Sequence, residues 1–248
     1  MAPAIITVSN TERSTIIQKY PELREKLRVV YNAVGTSFQN SDPKLLEKIK
    51  KKYELPDKFI FCLGNTSPKK NLSNILKAYY LYLEKSKEKL PLVLADHSPG
   101  DLFLFLNSNQ SQHKENLKFI GYIRNSEMPY LYQLSHLFLY PSIRESFGIP
   151  ILESMKMSTP VITSNISCMP EIAGRGAYYA DPFDENSIAT AMEELLQNPT
   201  LYKSMVDRGH QRVAEFSWRE SAKKLLEIYE NVYAESYPKK LKTKNKKL

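Results

Sequence analysis

The stretch Glu145-Ser-Phe-Gly-Ile-Pro-Ile-Leu-Glu153 holds two carboxylates with seven residues between them, a glycine, and the start of a helix. Before it, Leu137-Phe-Leu-Tyr140 is a short apolar run that fits a buried strand. Pro141 and Ser142 end that strand, and Pro150 suits the first turn of a helix whose start is prepared by Gly148. Glu145 then sits in the loop and Glu153 one turn into the helix. The backbone amides of Phe147, Gly148 and Ile149 point out of a helix N-terminus, where unsatisfied N–H groups and the positive end of the dipole favour an anion such as a diphosphate. Gly148 has no side chain to keep that anion away. Carboxylates repel phosphate but accept strong charge-assisted bonds from neutral hydroxyls. A diphosphate with hydroxyls on both sides describes a nucleotide-sugar.

The elements that must position these groups alternate along the chain. Expected strands are 5–8, 28–31, 59–63, 92–95, 117–120, 137–140, 161–163 and 177–179; expected helices are 72–84, 127–134, 150–157, 185–197, 200–215 and 218–233. Such alternation means an α/β protein, with a Rossmann-like parallel sheet and helices on both faces. Ligands of these sheets bind beyond the carboxyl ends of the strands. Gly64 to Lys70 and Ser142 to Gly148 both lie there, so two loops distant in sequence can meet on one diphosphate. Asn71, directly after Lys70, is read as the N-cap of a second helix facing that site.

At these residues the chain resembles the retaining glycosyltransferases of the GT-B fold, in particular family 4, the glycosyl transferases group 1. The glutamate pair and Phe147-Gly148 are similar to its signature, and Phe59-Ile-Phe-Cys-Leu-Gly64 with Pro68-Lys69-Lys70-Asn71 resembles its first strand and loop. Phe119-Ile-Gly-Tyr122, Met169-Pro-Glu171, Asp181-Pro182 and Phe216-Ser-Trp218 follow in the family's order. The resemblance implies that Glu145, the candidate catalytic residue, meets hydroxyls of the donor sugar. It implies that Glu153 holds the ribose and Lys70 neutralises the diphosphate. It places Gly64, Asn65, Phe147, Gly148 and Ile149 around the phosphates, and Tyr122 and Ile123 beside the base. Where the family often carries an arginine after the first glycine this chain has Asn65, so Lys69 stands in for the missing cation. Glu171 is read as fixing a turn. No cofactor and no metal is implied, the nucleotide-sugar being a substrate.

Composition narrows the alternatives. A chain of 248 residues with 42% hydrophobic content can bury one α/β core and a fragment of another. Cys62 and Cys168 make no disulfide framework. His97, His113, His136 and His210 show no metal-ligand spacing. No apolar run is long enough to span a bilayer and no signal peptide is evident, so a cytoplasmic protein is expected. Of the net charge of +8, six lysines lie between Lys239 and Lys247, leaving a nearly neutral body that argues against a nucleic-acid groove. That tail would attract an anionic membrane leaflet at roughly 1 kcal/mol per lysine, placing the protein at the inner membrane face, or would serve as a solubilising end.

The expected organisation is residues 1–41 as the end of an N-terminal GT-B domain with its linker, 42–233 as the nucleotide-sugar-binding domain, and 234–248 as a disordered basic tail. The chain thus reads as the donor-binding C-terminal half of a split or truncated enzyme. The expected partner is an acceptor-domain chain or a second copy, docking on Trp218, Leu225 and Tyr229. The expected function is transfer of a sugar, with retention, to a polysaccharide or glycolipid. The alternative is a nucleotide-sugar-binding module without catalysis of its own; an epimerase of the same fold is a third reading, disfavoured by the Glu145–Glu153 spacing.

Overall fold

A computed structural model describes residues 2–39, 42–63, 67–95 and 114–236. Among the described residues the strands are β1 (Ile5–Thr7), β2 (Leu27–Val29), β3 (Ile60–Leu63), β4 (Leu92–Ala95), β5 (Leu117–Gly121), β6 (Leu137–Tyr140), β7 (Val161–Ser164) and β8 (Ala177–Ala180). Among the described residues the helices are α1 (Asn10–Lys19), α2 (Pro43–Lys52), α3 (Leu72–Lys85), α4 (Met128–Leu134), α5 (Ile149–Lys156), α6 (Met169–Ala173), α7 (Glu185–Gln197), α8 (Pro199–Val213) and α9 (Trp218–Ser236).

The last six strands form one sheet in the order β5-β4-β3-β6-β7-β8, and every neighbouring pair is parallel. Parallel strands are covered on both faces, which is why β3, β4 and β6 read as unbroken apolar runs. The period of two then divides their side chains. Phe61, Val93, Phe138 and Val161 pack on one face with Leu131, Tyr132, Ile151, Leu152 and Ile172 from α4, α5 and α6. Ile60, Leu92, Leu94, Leu137 and Leu139 pack on the other with Ile75, Tyr79, Leu83, Ile188 and Met192 from α3 and α7. At the centre β3 pairs with β6, in the register Phe61 to Phe138, and the strand order reverses there. That switch point opens a crevice at the carboxyl ends of these two strands, and the loops after them flank it.

The first thirty or so residues form their own unit, the parallel pair β1–β2 bridged by α1. The sequence reading had no helix at 10–19 or 43–52. α1 is nearly all polar and buries only Ile17, so hydrophobic periodicity does not reveal it. Its start is nevertheless written in Ser9-x-x-Glu12, where the Ser9 hydroxyl accepts from the Glu12 amide at 3.1 Å. α9 continues to Ser236, three residues past the expected boundary. On it Leu225 is half-buried, and the exposed apolar side chains are Trp218, Leu226, Tyr229 and Tyr233. The helical period turns 226, 229 and 233 to one side and Ile228 to the core. No helix among the described residues is long and apolar enough to cross a membrane. Lys239 to Lys247 lie outside the described residues.

Candidate functional site

The loops after β3 and β6 are joined through their backbones. The Ile143 amide donates to the Lys69 carbonyl at 2.8 Å. The Asn71 side chain donates to the carbonyls of Pro141 at 3.0 Å and Pro182 at 2.7 Å, so three loops meet on one amide. Asn71 does stand at the N-cap position of α3, as expected, but its side chain does not cap the helix. Its backbone is left-handed (φ 64°), and it makes no capping bond to α3. Side-chain capping belongs to a residue of extended backbone, and the buried carbonyls of Pro141 and Pro182 take the amide instead.

Lys70 and Glu145 meet at the crevice floor. Lys70 Nζ donates to Glu145 Oε1 at 2.8 Å and to Tyr140 Oη at 2.8 Å, and the Tyr140 hydroxyl donates to the same Glu145 oxygen at 2.9 Å. Burial, and then the charge of Glu145, hold the Tyr140 hydroxyl well above its ordinary range, so it remains a donor. The backbone of Glu145 is equally fixed: its carbonyl accepts from the Ser167 hydroxyl and the Cys168 thiol, both at 3.1 Å. Burial pushes that thiol up to about 12, which keeps it a neutral donor.

Gly148 opens α5 in a left-handed conformation (φ 87°), and no side chain caps the helix. A Cβ there would sit 3.2 Å from Ile151 Cδ1 as well as being strained by the backbone. Lys69, Lys70, Tyr140, Arg144 and Glu145 surround the N-terminus of α5 in a cavity of about 570 Å³, with Val8 and Asn32 forming a wall from the first unit. Phe147 also lines it, but its ring is buried against Tyr31 and Phe216 at centroid distances of 6.1 and 5.8 Å.

A second cavity of about 420 Å³ adjoins the first through Ile149, which lines both. Its walls include Tyr122, Ile123, Glu153 and Trp218. Ile123 is buried, whereas Tyr122 is 74% exposed and stands at the rim. Tyr132 donates to Glu153 Oε2 at 3.1 Å. Burial pushes the Glu153 carboxyl up to about 7, the Tyr132 bond opposing only part of the rise.

The structure therefore brings Lys69, Lys70, Glu145, Phe147, Gly148 and Ile149 to one cavity, and Tyr122, Ile123, Ile149 and Glu153 to its neighbour. Gly64 and Asn65 lie outside the described residues, as do His97 and His113. His136 stacks on Tyr202 and His210 bonds Ser158, and neither lines these cavities. Cys62 and Cys168 are buried and free. Among the described residues no group of three His, Cys, Asp or Glu is placed to hold a metal. Sequence reasoning missed Tyr140, Arg144, Val8 and Asn32. Arg144 could have been noticed beside Glu145; the wall contributed by the first unit has no local signal.

Glu171 does more than fix a turn. Its Oε1 accepts from the Asn10 amide at 2.6 Å, Asn10 Nδ2 at 3.1 Å and Tyr31 Oη at 2.8 Å, and its Oε2 from the Thr11 amide at 2.8 Å and hydroxyl at 2.7 Å.

A parallel sheet with a reversed strand order, whose switch point carries a cationic cavity beside a carboxylate-bearing one, has the Rossmann-like architecture expected of a GT-B donor-binding half. The chain belongs to the glycosyl transferases group 1 family, whose sequence model matches residues 16–212. It is 28% identical over 230 residues to O-antigen chain mannosyltransferase B of Escherichia coli, covering 92% of this chain and 60% of that protein. It is 30% identical over 231 residues to a serotype-specific mannosyltransferase, WbdA, of Escherichia coli, covering 91% of this chain and 28% of the relative. The chain thus spans less than two thirds of these relatives' length. The fold is similar to that of a glycosyltransferase from Rickettsia africae (TM-score 0.78, 21% identity, 92% of this chain and 63% of the other). It is similar also to Anabaena HepE, whose structure holds UDP-glucose (TM-score 0.78, 17% identity, 94% and 64%).

Proposed function

We propose that the chain binds a nucleoside-diphosphate sugar across the two cavities and supplies the donor half of a retaining glycosyl transfer. The observation that carries this reading is the adjacency of the two cavities, which share Ile149 as a wall, with Lys69, Lys70, Arg144 and the start of α5 on one side and Glu153 on the other. The diphosphate lies at the helix N-terminus. Lys70 turns from Glu145 to the phosphate, which frees Glu145 to accept from sugar hydroxyls. The base and ribose extend past Ile149, where Glu153 accepts from the ribose diol. Transfer breaks the bond from the anomeric carbon to the phosphate oxygen, and the electron pair leaves with the diphosphate. The acceptor oxygen bonds to that carbon on the same face and gives its proton to the departing phosphate. Lys70 and the helix dipole act on the charge that develops there.

The names of the curated relatives support mannose as the sugar and a surface polysaccharide as the product. The exposed face of α9 supports docking of an acceptor-binding unit, since catalysis requires both substrates held in one cleft. A donor-binding module without turnover is the competing reading, and nucleotide binding with no turnover beside an acceptor-domain protein would favour it. The deciding experiment is a thermal-shift and calorimetric panel with UDP, GDP and ADP and their common sugars, GDP-mannose among them, with Lys70→Ala and Glu153→Ala alongside. Selective binding lost in both variants supports the reading; indifference of binding to both variants overturns it.

A further inference from the structure

We propose that Glu171 is a positioning residue for the donor site: its carboxylate clamps the start of α1 to the main sheet's domain and, through Ser9 and Tyr31, sets the Glu145–Gly148 loop. The inference rests on the donor-site reading and extends it to a residue that touches neither cavity.

The carboxylate meets five donors within 3.1 Å, two of them backbone amides of the first turn of α1. An anion at a helix N-terminus satisfies orphan N–H groups and the dipole together. Burial opposes ionisation of Glu171, yet the bonds from Thr11, Asn10 and Tyr31 outweigh it and hold the carboxyl below its ordinary range. The backbone behind the carboxylate is also held. Arg212 of α8 donates to the Ile172 carbonyl at 2.8 Å and to the carbonyl of Glu171 itself. The clamp is therefore anchored at both ends.

Two routes lead from it to the site. Ser9, the N-cap of α1, donates its hydroxyl to the Ser146 carbonyl at 2.7 Å, one residue from Glu145. Tyr31, whose hydroxyl donates to Glu171, packs its ring against Phe147 and Phe216. The neighbours of these two residues, Val8 and Asn32, are the side chains that wall the first cavity. Displacing α1 thus moves the wall and releases the loop that carries Glu145 and Gly148. Charge-assisted bonds are the strong ones, so one substitution weakens the whole junction.

Glu171→Gln keeps the side-chain length but removes the charge and turns an NH₂ toward one set of donors. Calorimetry with the nucleotide found by the panel, and amide hydrogen exchange without ligand, should be run on wild type, Glu171→Gln, Glu171→Asp and Ser9→Ala. The expected result for Glu171→Gln is faster exchange at Asn10 and Thr11, faster exchange at Glu145 and Ile151, whose amides bond Ser167 Oγ and the Gly148 carbonyl at the two ends of the loop, and nucleotide binding about tenfold weaker. Glu171→Asp should recover part of each. Ser9→Ala leaves the carboxylate bonds in place, so it should speed exchange at Glu145 and Ile151 even if Glu171→Gln folds poorly. Faster exchange confined to 10–14, with wild-type affinity and protection in the loop, overturns the inference while leaving the donor-site reading intact. A wild-type chain that binds no nucleotide counts against the donor-site reading, and the exchange at Glu145 and Ile151 still decides whether Glu171 governs the loop.

Discussion

Glu153→Gln should stabilise the folded chain at alkaline pH while weakening its hold on nucleotide. Burial raises the folded carboxyl from 4.5 to about 7. Between these values the unfolded chain has released a proton that the folded chain still binds. Unfolding therefore releases a proton, and stability falls as pH rises through the window, the loss being complete above the folded value. Two and a half pK units at 1.36 kcal/mol each give about 3 kcal/mol. Glutamine has nearly the same shape, keeps an oxygen for the Tyr132 hydroxyl and does not titrate. Urea unfolding of both proteins at roughly pH 4 and pH 8.5 measures the difference directly. The gap between variant and wild type should shift by about 3 kcal/mol in favour of the variant at the higher pH. Other titrating groups cancel, because they are the same in both chains. A gap that does not change with pH would refute the claim that burial dominates this carboxyl. In binding the sign reverses. An ionised Glu153 is the better acceptor for a ribose diol, so wild-type nucleotide affinity should rise from about pH 6 to pH 8, and Glu153→Gln should lose both that rise and about 1.5–3 kcal/mol of binding.

Lys70→Ala leaves the partly buried Glu145 carboxylate with Tyr140 as its remaining side-chain donor. It should cost about 1–3 kcal/mol in chemical denaturation and weaken diphosphate binding by calorimetry, and wild-type affinity in this variant would remove Lys70 from the site. Gly148→Ala meets both a left-handed backbone and the Ile151 side chain. A loss of at least about 1 kcal/mol in urea unfolding is expected, with a parallel drop in nucleotide affinity; an unchanged midpoint would mean that the loop adapts freely.

The candidate site was legible where chemistry and backbone geometry are local. A glycine and a proline at a strand-to-helix turn, with carboxylates before and after, specify a helix start of the kind that suits an anion, through sterics and the dipole alone. Lys69 and Lys70 could be assigned because alternating strands and helices place both loops at one end of a parallel sheet. The parallel character of the sheet was also implicit, since unbroken apolar runs belong to sheets covered on both faces, whereas the order of its strands was not. Less legible were elements whose stability comes from tertiary bonds. α1 buries one side chain and is held by Glu171, about 160 residues away in sequence. Asn71 looks like a cap locally and is a three-loop tie in the fold.

Periodicity and side-chain chemistry were enough to read the secondary-structure alternation, the parallel sheet and the residue types able to hold a diphosphate and sugar hydroxyls, because each of these is a local property of the chain. The pairing of Lys70 with Glu145, the burial that pushes the Glu153 carboxyl up to about 7, and the wall that Val8 and Asn32 add to the cavity belong to the closed fold. Those properties depend on distances and desolvation between segments far apart in the chain, and such quantities exist only once the chain has closed on itself.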